Sequence, residues 1–316
     1  MPARSRLTLL ELAVVCAIVA LVFALLAPGV QQSREAARRV QCQSNLRQIG
    51  MAIHAYESAW TYLPPGNIRN SFGWLALILP YLNRSDLYQK IDFNRVEFSD
   101  QDPIARTIIP SYLCPSESAP AIGRNGNART SYPGNMGRGC LDGGYNGIFN
   151  QFCSPPDSPY RATLHRLADV TDGTAQTAMM SEFLIGNYTG ELLRVNWHIE
   201  QSQSSIQELK SACLDATSKF LKSGSPWGDP TAKGSAWIEG QAGMTWYTHS
   251  LPPFRRSCFN GTGVQTGVYT AASAHDELVH VLFVDGSVQP FGKGVDERVW
   301  RALGSRNGGE SEKNTP

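Results

Sequence analysis

Residues 7–30 read LTLLELAVVCAIVALVFALLAPGV. Glu11 is the one carboxylate in the stretch, and the 19 residues from Leu12 to Val30 carry no charge. A helix of about 20 apolar residues spans the roughly 30 Å hydrocarbon core of a bilayer. The stretch therefore predicts a membrane-crossing helix, with the rest of the chain as a polar body outside it. A cleaved secretory signal is the alternative, with Arg4 and Arg6 as its basic start. Three features favour the anchor. The run exceeds the roughly 7–15 residues of a signal's apolar centre. Glu11 lies inside it. Pro28, in Leu26-Ala27-Pro28-Gly29, falls where a signal peptidase requires extended backbone.

The helix is expected to continue past the apolar run. Cys42, Leu46, Ile49, Ile53, Tyr56 and Trp60 recur at spacings of three and four, which is one face of an α-helix. Pro28 lacks an amide proton and is expected to bend this helix, and Pro64-Pro65-Gly66 to end it. The chain then divides into a leader (1–6), a transmembrane half-helix (7–30), an amphipathic half-helix (31–62), a head (63–304) and a polar, disordered tail (305–316). Basic residues in the leader favour its retention on the cytoplasmic side. Arg34, Arg38 and Arg39 beyond the span weaken that rule here.

The 316 residues include 29 Gly and 19 Pro, and only 17% are charged. A loop-rich head follows, rather than a helix bundle. Trp74 to Leu82 predicts one or two short helices broken at Pro80. Residues 100–159 are turn-rich. Thr174 to Leu184 predicts a strand, and Ile206 to Leu221 a helix. Leu278 to Phe291 predicts a β-hairpin with a two-residue turn at Asp285-Gly286. A formal charge of +1 supplies no field for nucleic acid.

Seven cysteines are present. Cys16 lies in the apolar run. Cys42, Cys114, Cys140, Cys153, Cys213 and Cys258 are disulfide candidates if the head lies outside the cytoplasm, and their pairing stays open. Glu11 is a buried-charge candidate for pairing with a cation on a neighbouring helix. Asp169 and Asp172 are weak calcium candidates, since two carboxylates fall short of six to eight oxygen ligands, and a turn explains them better. Trp227, Trp237, Trp246 and Tyr247 suit sugar stacking but fit a core better. His275 with Asp285 could form a base and its orienter. No nucleophile motif accompanies them, so a turn at Asp285-Gly286 with His275 packed before it is the better reading.

Leu7-Thr8-Leu9-Leu10-Glu11-Leu12 resembles the cleavage and methylation segment of type IV prepilins and pseudopilins. In that class a peptidase cuts after Gly and the new N-terminus is usually Phe. A Glu stands fifth from the cut and a Pro twenty-second. Counted from Leu7, Glu11 is fifth and Pro28 twenty-second. Arg6 stands in place of the Gly and Leu7 in place of the Phe, which argues against cutting by a prepilin peptidase. The remaining chain resembles the bacterial domain of unknown function 1559 with its C-terminal H-x9-D-G motif. The matching pieces are Ser33-Arg34-Glu35-Ala36-Ala37-Arg38-Arg39, Cys42 to Gly50, Leu63-Pro64-Pro65-Gly66, Leu79-Pro80-Tyr81-Leu82, Cys114-Pro115-Ser116, Asp169 to Thr174, His275 with Asp285-Gly286, and Ala302-Leu303-Gly304.

The expected fold is α+β, a long pilin-like N-terminal helix packed on a loop-rich antiparallel sheet. The resemblance implies a structural, non-enzymatic protein of the bacterial cytoplasmic membrane. It would cross once through residues 7–30, hold its head outside the cytoplasm, and partner identical or related pilin-like subunits in a filament or pseudopilus. A single-helix anchored binding module for a glycan or protein is the alternative. No cofactor, metal or nucleic acid is expected.

Overall fold

A computed structural model describes residues 9–68, 72–94, 103–142, 144–149, 164–187, 191–215, 233–261 and 263–309, apart from the side chains at 23, 25–28 and 263–265. Arg6, Leu7, Cys153 and Trp227 lie outside the described residues, as does the side chain of Pro28.

One helix, α1, runs from Leu9 to Trp60, 52 residues without interruption. At 1.5 Å per residue it is about 78 Å long. Its two halves differ in what they touch. In the C-terminal half Cys42, Leu46, Ile49, Ala52 and Ile53 are buried. Tyr56 packs at the margin of the same cluster, whereas Trp60, placed on the stripe by its spacing, is 59% exposed. Gly50 lets α1 approach the head closely, because a Cβ there would sit 3.0 Å from Leu282 Cδ2. The helix ends at Thr61, whose φ of +65° closes a left-handed cap with its N–H donated to the Glu57 carbonyl at 2.7 Å.

The N-terminal half exposes Leu9, Leu10, Leu12, Val14, Val15, Ile18, Val19, Leu21 and Val22. Glu11 lies in the first turn, where a carboxylate complements the helix dipole. Among the described residues no helix is long and apolar enough to cross a membrane. The transmembrane expectation for residues 7–30 is therefore not carried by the described part of α1.

The head is α+β, with mixed sheets where antiparallel pairing was expected. Strands β1 (Asn67–Ile68) and β2 (Phe72–Gly73) form a small ladder before α2 (Trp74–Leu77). A 3-10 turn over Leu79–Leu82 and α3 (Ser85–Tyr88) follow; the break falls at Ile78, and Pro80 lies inside the 3-10 turn rather than at the break. β3 (Gly134–Asn135), β4 (Ala178–Met180), β5 (Asn196–Ile199), α4 (Ile206–Leu214) and β6 (Trp246–Tyr247) come next. β7 (Ser257–Asn260), β8 (Gly263–Val268), β9 (Leu278–Phe283), β10 (Val288–Gly292) and α5 (Glu297–Leu303) complete the order. The main sheet runs β10-β9-β4-β3-β6 and a second β5-β7-β8. The β3–β6 and β5–β7 pairs are parallel. The strand expected over Thr174 to Leu184 is only three residues long. Residues 305–309, expected as disordered tail, are held by Asp172, which accepts from the Gly308 and Gly309 amides at 2.7 and 2.9 Å.

The C-terminal hairpin forms as its sequence predicts but with a different turn. Phe283 donates to Ser287 at 2.8 Å and Gly286 to Phe283 at 3.0 Å, so the loop is Val284-Asp285-Gly286, three residues. Gly286 has φ +87°, the left-handed position that ends such a loop. Asp285 Oδ1 accepts from the Ser287 amide at 2.9 Å. A Cβ at Gly286 would meet nothing within 4 Å, so glycine is required there by backbone conformation alone. Gly286→Ala is expected to lower stability by about 1–2 kcal/mol. The check is a lower urea midpoint at unchanged slope; an unchanged midpoint would show that the loop relaxes at no cost.

Candidate functional site

The centre of interest is His275, in the segment leading into β9. Its side chain is fully enclosed. Ser273 Oγ accepts from the His275 amide at 3.0 Å and fixes the backbone there. Four separate parts of the chain meet around the ring. α1 brings Glu35, Arg38, Cys42 and Gln43. The segment after the 3-10 turn at Pro110–Tyr112 brings Cys114 and Ser116. The residue two beyond β4 is Glu182. β9 itself brings His280.

His275 Nδ1 lies 2.9 Å from Glu35 Oε1, and Nε2 lies 3.5 Å from Glu182 Oε1 and 3.5 Å from Cys114 Sγ. Glu35 also accepts from Ser116 Oγ at 3.0 Å and from Arg38 Nε at 2.8 Å. Glu182 is buried, and its Oε2 accepts from the His280 amide at 2.8 Å and from His280 Nδ1 at 3.1 Å. His280 Nε2 then accepts from Gln43 Nε2 at 2.9 Å, which returns the chain of bonds to α1. A carboxylate can only accept, so His280 carries its proton on Nδ1.

The electrostatics follow from these contacts. Burial alone would lower the His275 pKa, but the bonds and charges of Glu182, then of Glu35, outweigh it and hold the ring above the usual imidazole range. Burial alone would raise Glu182; the bonds to His275 and His280 bring its carboxyl below the usual range instead. Glu35 is lowered in the same way, by His275, Arg38 and Ser116 against burial. The result is an imidazole held between two carboxylates, with one end of the array on α1 and the other in the sheet. The Cys42–Cys114 disulfide lies against it and ties α1 covalently to the segment after the 3-10 turn.

His275 and Asp285 do not meet. They stand beyond opposite ends of β9, and Asp285 spends its carboxylate on the Ser287 amide. The base-and-orienter reading of the pair is therefore excluded by geometry. Asp169 Oδ2 accepts from the Arg166 amide at 2.8 Å, and Asp172 holds the two glycine amides, so both act as turn and tail clasps. Trp237, Trp246 and Tyr247 are fully buried, with Trp237 Nε1 donated to the Thr107 carbonyl at 3.0 Å; they are core, not a sugar platform. Cys213 pairs with Cys258, and Cys140 is also disulfide-bonded.

Sequence reasoning quoted Glu35 within a motif and passed over Glu182. A signal for Glu182 existed: it is the one carboxylate in the apolar run from Ala178 to Leu184. A carboxylate in a buried run demands a partner, and histidine was the residue to seek.

Set against known proteins, residues 31–298 match the family model described as "Protein of unknown function (DUF1559)". The match begins after the apolar stretch and takes in Glu35, both cysteines of the clasp, Glu182 and the His275–Gly286 motif. No curated protein and no solved structure matches the chain.

Proposed function

The chain belongs to the DUF1559 family, and on that basis we propose that it is a membrane-anchored, pilin-like structural protein of the bacterial envelope. The carrying observation is the division of α1. Its C-terminal half is built into the head, while its N-terminal half projects apolar side chains that find no cover from the head. Exposed apolar surface of this extent requires lipid or another apolar helix. The sequence supports lipid, because the 19 residues from Leu12 to Val30 carry no charge. Disulfides in the head support a location outside the reducing cytoplasm. Glu11 then sits near the membrane surface, placed to neutralise a cation on a neighbouring helix.

A second reading, an anchored binding module that does not polymerise, is favoured by Arg6 where a processed subunit has Gly. The N-terminus of the protein isolated from envelopes separates the two. Intact mass and terminal sequencing should give a methylated Leu7 for a filament subunit. A start at Met1 or Pro2 would favour the uncut module, and a start near Val30 would overturn both. Val19→Arg puts a charge near the middle of the run, at a cost of about 2.5–3.5 kcal/mol. It is expected to release the protein from membranes under alkaline carbonate washing; full retention would count against anchoring by this helix.

A further inference from the structure

Cys42, Cys114, Glu182 and His275 are all buried, and one donor atom from each lies within 4.8 Å of every other. We propose that in the reduced chain these four side chains form a binding site for one soft divalent cation of the zinc class. The ligand atoms are Sγ of Cys42, Sγ of Cys114, Nε2 of His275 and Oε1 of Glu182. The donor set of two thiolates, one imidazole and one carboxylate suits a closed tetrahedral zinc site.

Three further observations point to a ligand here. Glu182 Oε1 is buried, and its one close polar neighbour is His275 Nε2 at a long 3.5 Å. A buried carboxylate oxygen so weakly compensated leaves room for a closer cation. His275 Nδ1 faces Glu35 Oε1, so Glu35 accepts the Nδ1 proton and leaves the Nε2 lone pair directed at Cys114 and Glu182. A carboxylate bonded to the far nitrogen of a ligating histidine is the usual outer support of such a site. Glu182 Oε2 is already held by the His280 amide and ring, so the ligating carboxylate is oriented as well. The two sulfurs, bonded in the oxidised chain, need to separate only to roughly 3.7 Å to share one tetrahedral ion at about 2.3 Å each.

The chemistry balances as follows. A dithiol reductant transfers two electrons to the Cys42–Cys114 bond, becomes a cyclic disulfide, and leaves two cysteine thiols. Binding M2+ releases both thiol protons to solvent, and displaces the His275 Nε2 proton where that is present. The disulfide and the metal are therefore alternative clasps between α1 and the head. A disulfide oxidant that takes up the two electrons and two protons re-forms the Cys42–Cys114 bond, becomes a dithiol, and releases the ion.

The test uses the full chain in detergent, reduced with a phosphine that is itself oxidised to phosphine oxide. Co2+ is the probe, followed by Zn2+ competition against a chromophoric chelator. The reduced protein is expected to bind one Co2+ with a thiolate-to-cobalt charge-transfer band and the intense visible bands of tetrahedral cobalt. The oxidised protein is expected to show neither. The bands should vanish in the Cys42→Ser/Cys114→Ser double variant and persist in Cys213→Ser/Cys258→Ser. Glu35→Gln, at the surface end of the array, should keep the bands and weaken Zn2+ binding by about 10–100-fold, which a purely structural role for Glu35 would not do. Absence of the thiolate band in the reduced wild type, or its survival without Cys42 and Cys114, would overturn the proposal. Unchanged Zn2+ affinity in both Glu182→Gln and Glu35→Gln would do the same.

Discussion

Arg194→Met is expected to destabilise the head by about 3–5 kcal/mol, because it leaves a buried carboxylate without its cation. Arg194 Nη1 lies 2.5 Å from Glu117 Oε1 with both side chains nearly closed to solvent. The same guanidinium donates to the Ile185 carbonyl at 2.9 Å and to Ser118 Oγ at 3.0 Å. Its exposed contact with Glu191 adds little by comparison, since surface pairs contribute about 0–1 kcal/mol. Glu117 in turn accepts from the Ile185 and Ala119 amides, each at 2.8 Å. The pair thus pins the segment just after Cys114 to the segment after Glu182, next to the His275 array. Urea denaturation at neutral pH gives the measurement. A loss below about 1 kcal/mol would mean that water or Lys233 replaces the lost cation. Lys233 is close enough to matter. Burial, then the Arg194 charge, lowers its pKa to about 7, and Glu117 partly offsets this. Removing Arg194 is expected to raise it.

The second large effect is an acid transition centred on His249. The ring is fully buried and stacks on Trp300 at 4.2 Å between centroids. Nδ1 donates to the Trp300 carbonyl at 2.7 Å and Nε2 accepts from the Tyr247 hydroxyl at 2.8 Å. A carbonyl cannot donate, so the neutral tautomer with hydrogen on Nδ1 satisfies both contacts, and a second proton buries a charge and forces the Tyr247 hydroxyl to turn from donor to acceptor. Gly304 closes the site: a Cβ there would fall 2.3 Å from His249 Cβ, which accounts for glycine at this position. Burial lowers the His249 pKa from 6.5 to about 3. Between those values the unfolded chain binds the proton and the native one does not. Stability therefore falls as pH drops from about 6.5 to about 3, by up to roughly 4–5 kcal/mol from this group. Buried His165, lowered to about 4 by burial first, acts in the same direction. His249→Gln should flatten the stability-against-pH curve by about one proton over that interval. Parallel curves for wild type and variant would refute the assignment.

Repeating local physics made part of the molecule legible in advance. The stripe from Cys42 to Tyr56 identifies a helix face because helical spacing brings every third or fourth residue together, and the structure buries that face. Alternating apolar residues around Asp285-Gly286 identify a hairpin because glycine alone enters the left-handed region freely; only the turn length differed. The end of α2 at Leu77, three residues before Pro80, follows from the amide proton that Pro80 lacks. Within the site, His275 was visible as a motif but its partners were not. Glu35 is 240 residues away in sequence and Glu182 lies 98 residues before His280, and no local rule relates such positions.

The sequence by itself determined the long helix, its apolar outer and amphipathic inner halves, the hairpin, and the division between helix and loop-rich head. These depend on residue spacing and on the conformational limits of Gly and Pro. Tertiary structure alone decided that Cys42 pairs with Cys114 and Cys213 with Cys258, that two strand pairs run parallel, and that His275 stands between Glu35 and Glu182 rather than beside Asp285. Those outcomes depend on which distant segments pack together, where a buried charge must find an opposite charge and a buried ring a hydrogen-bond partner.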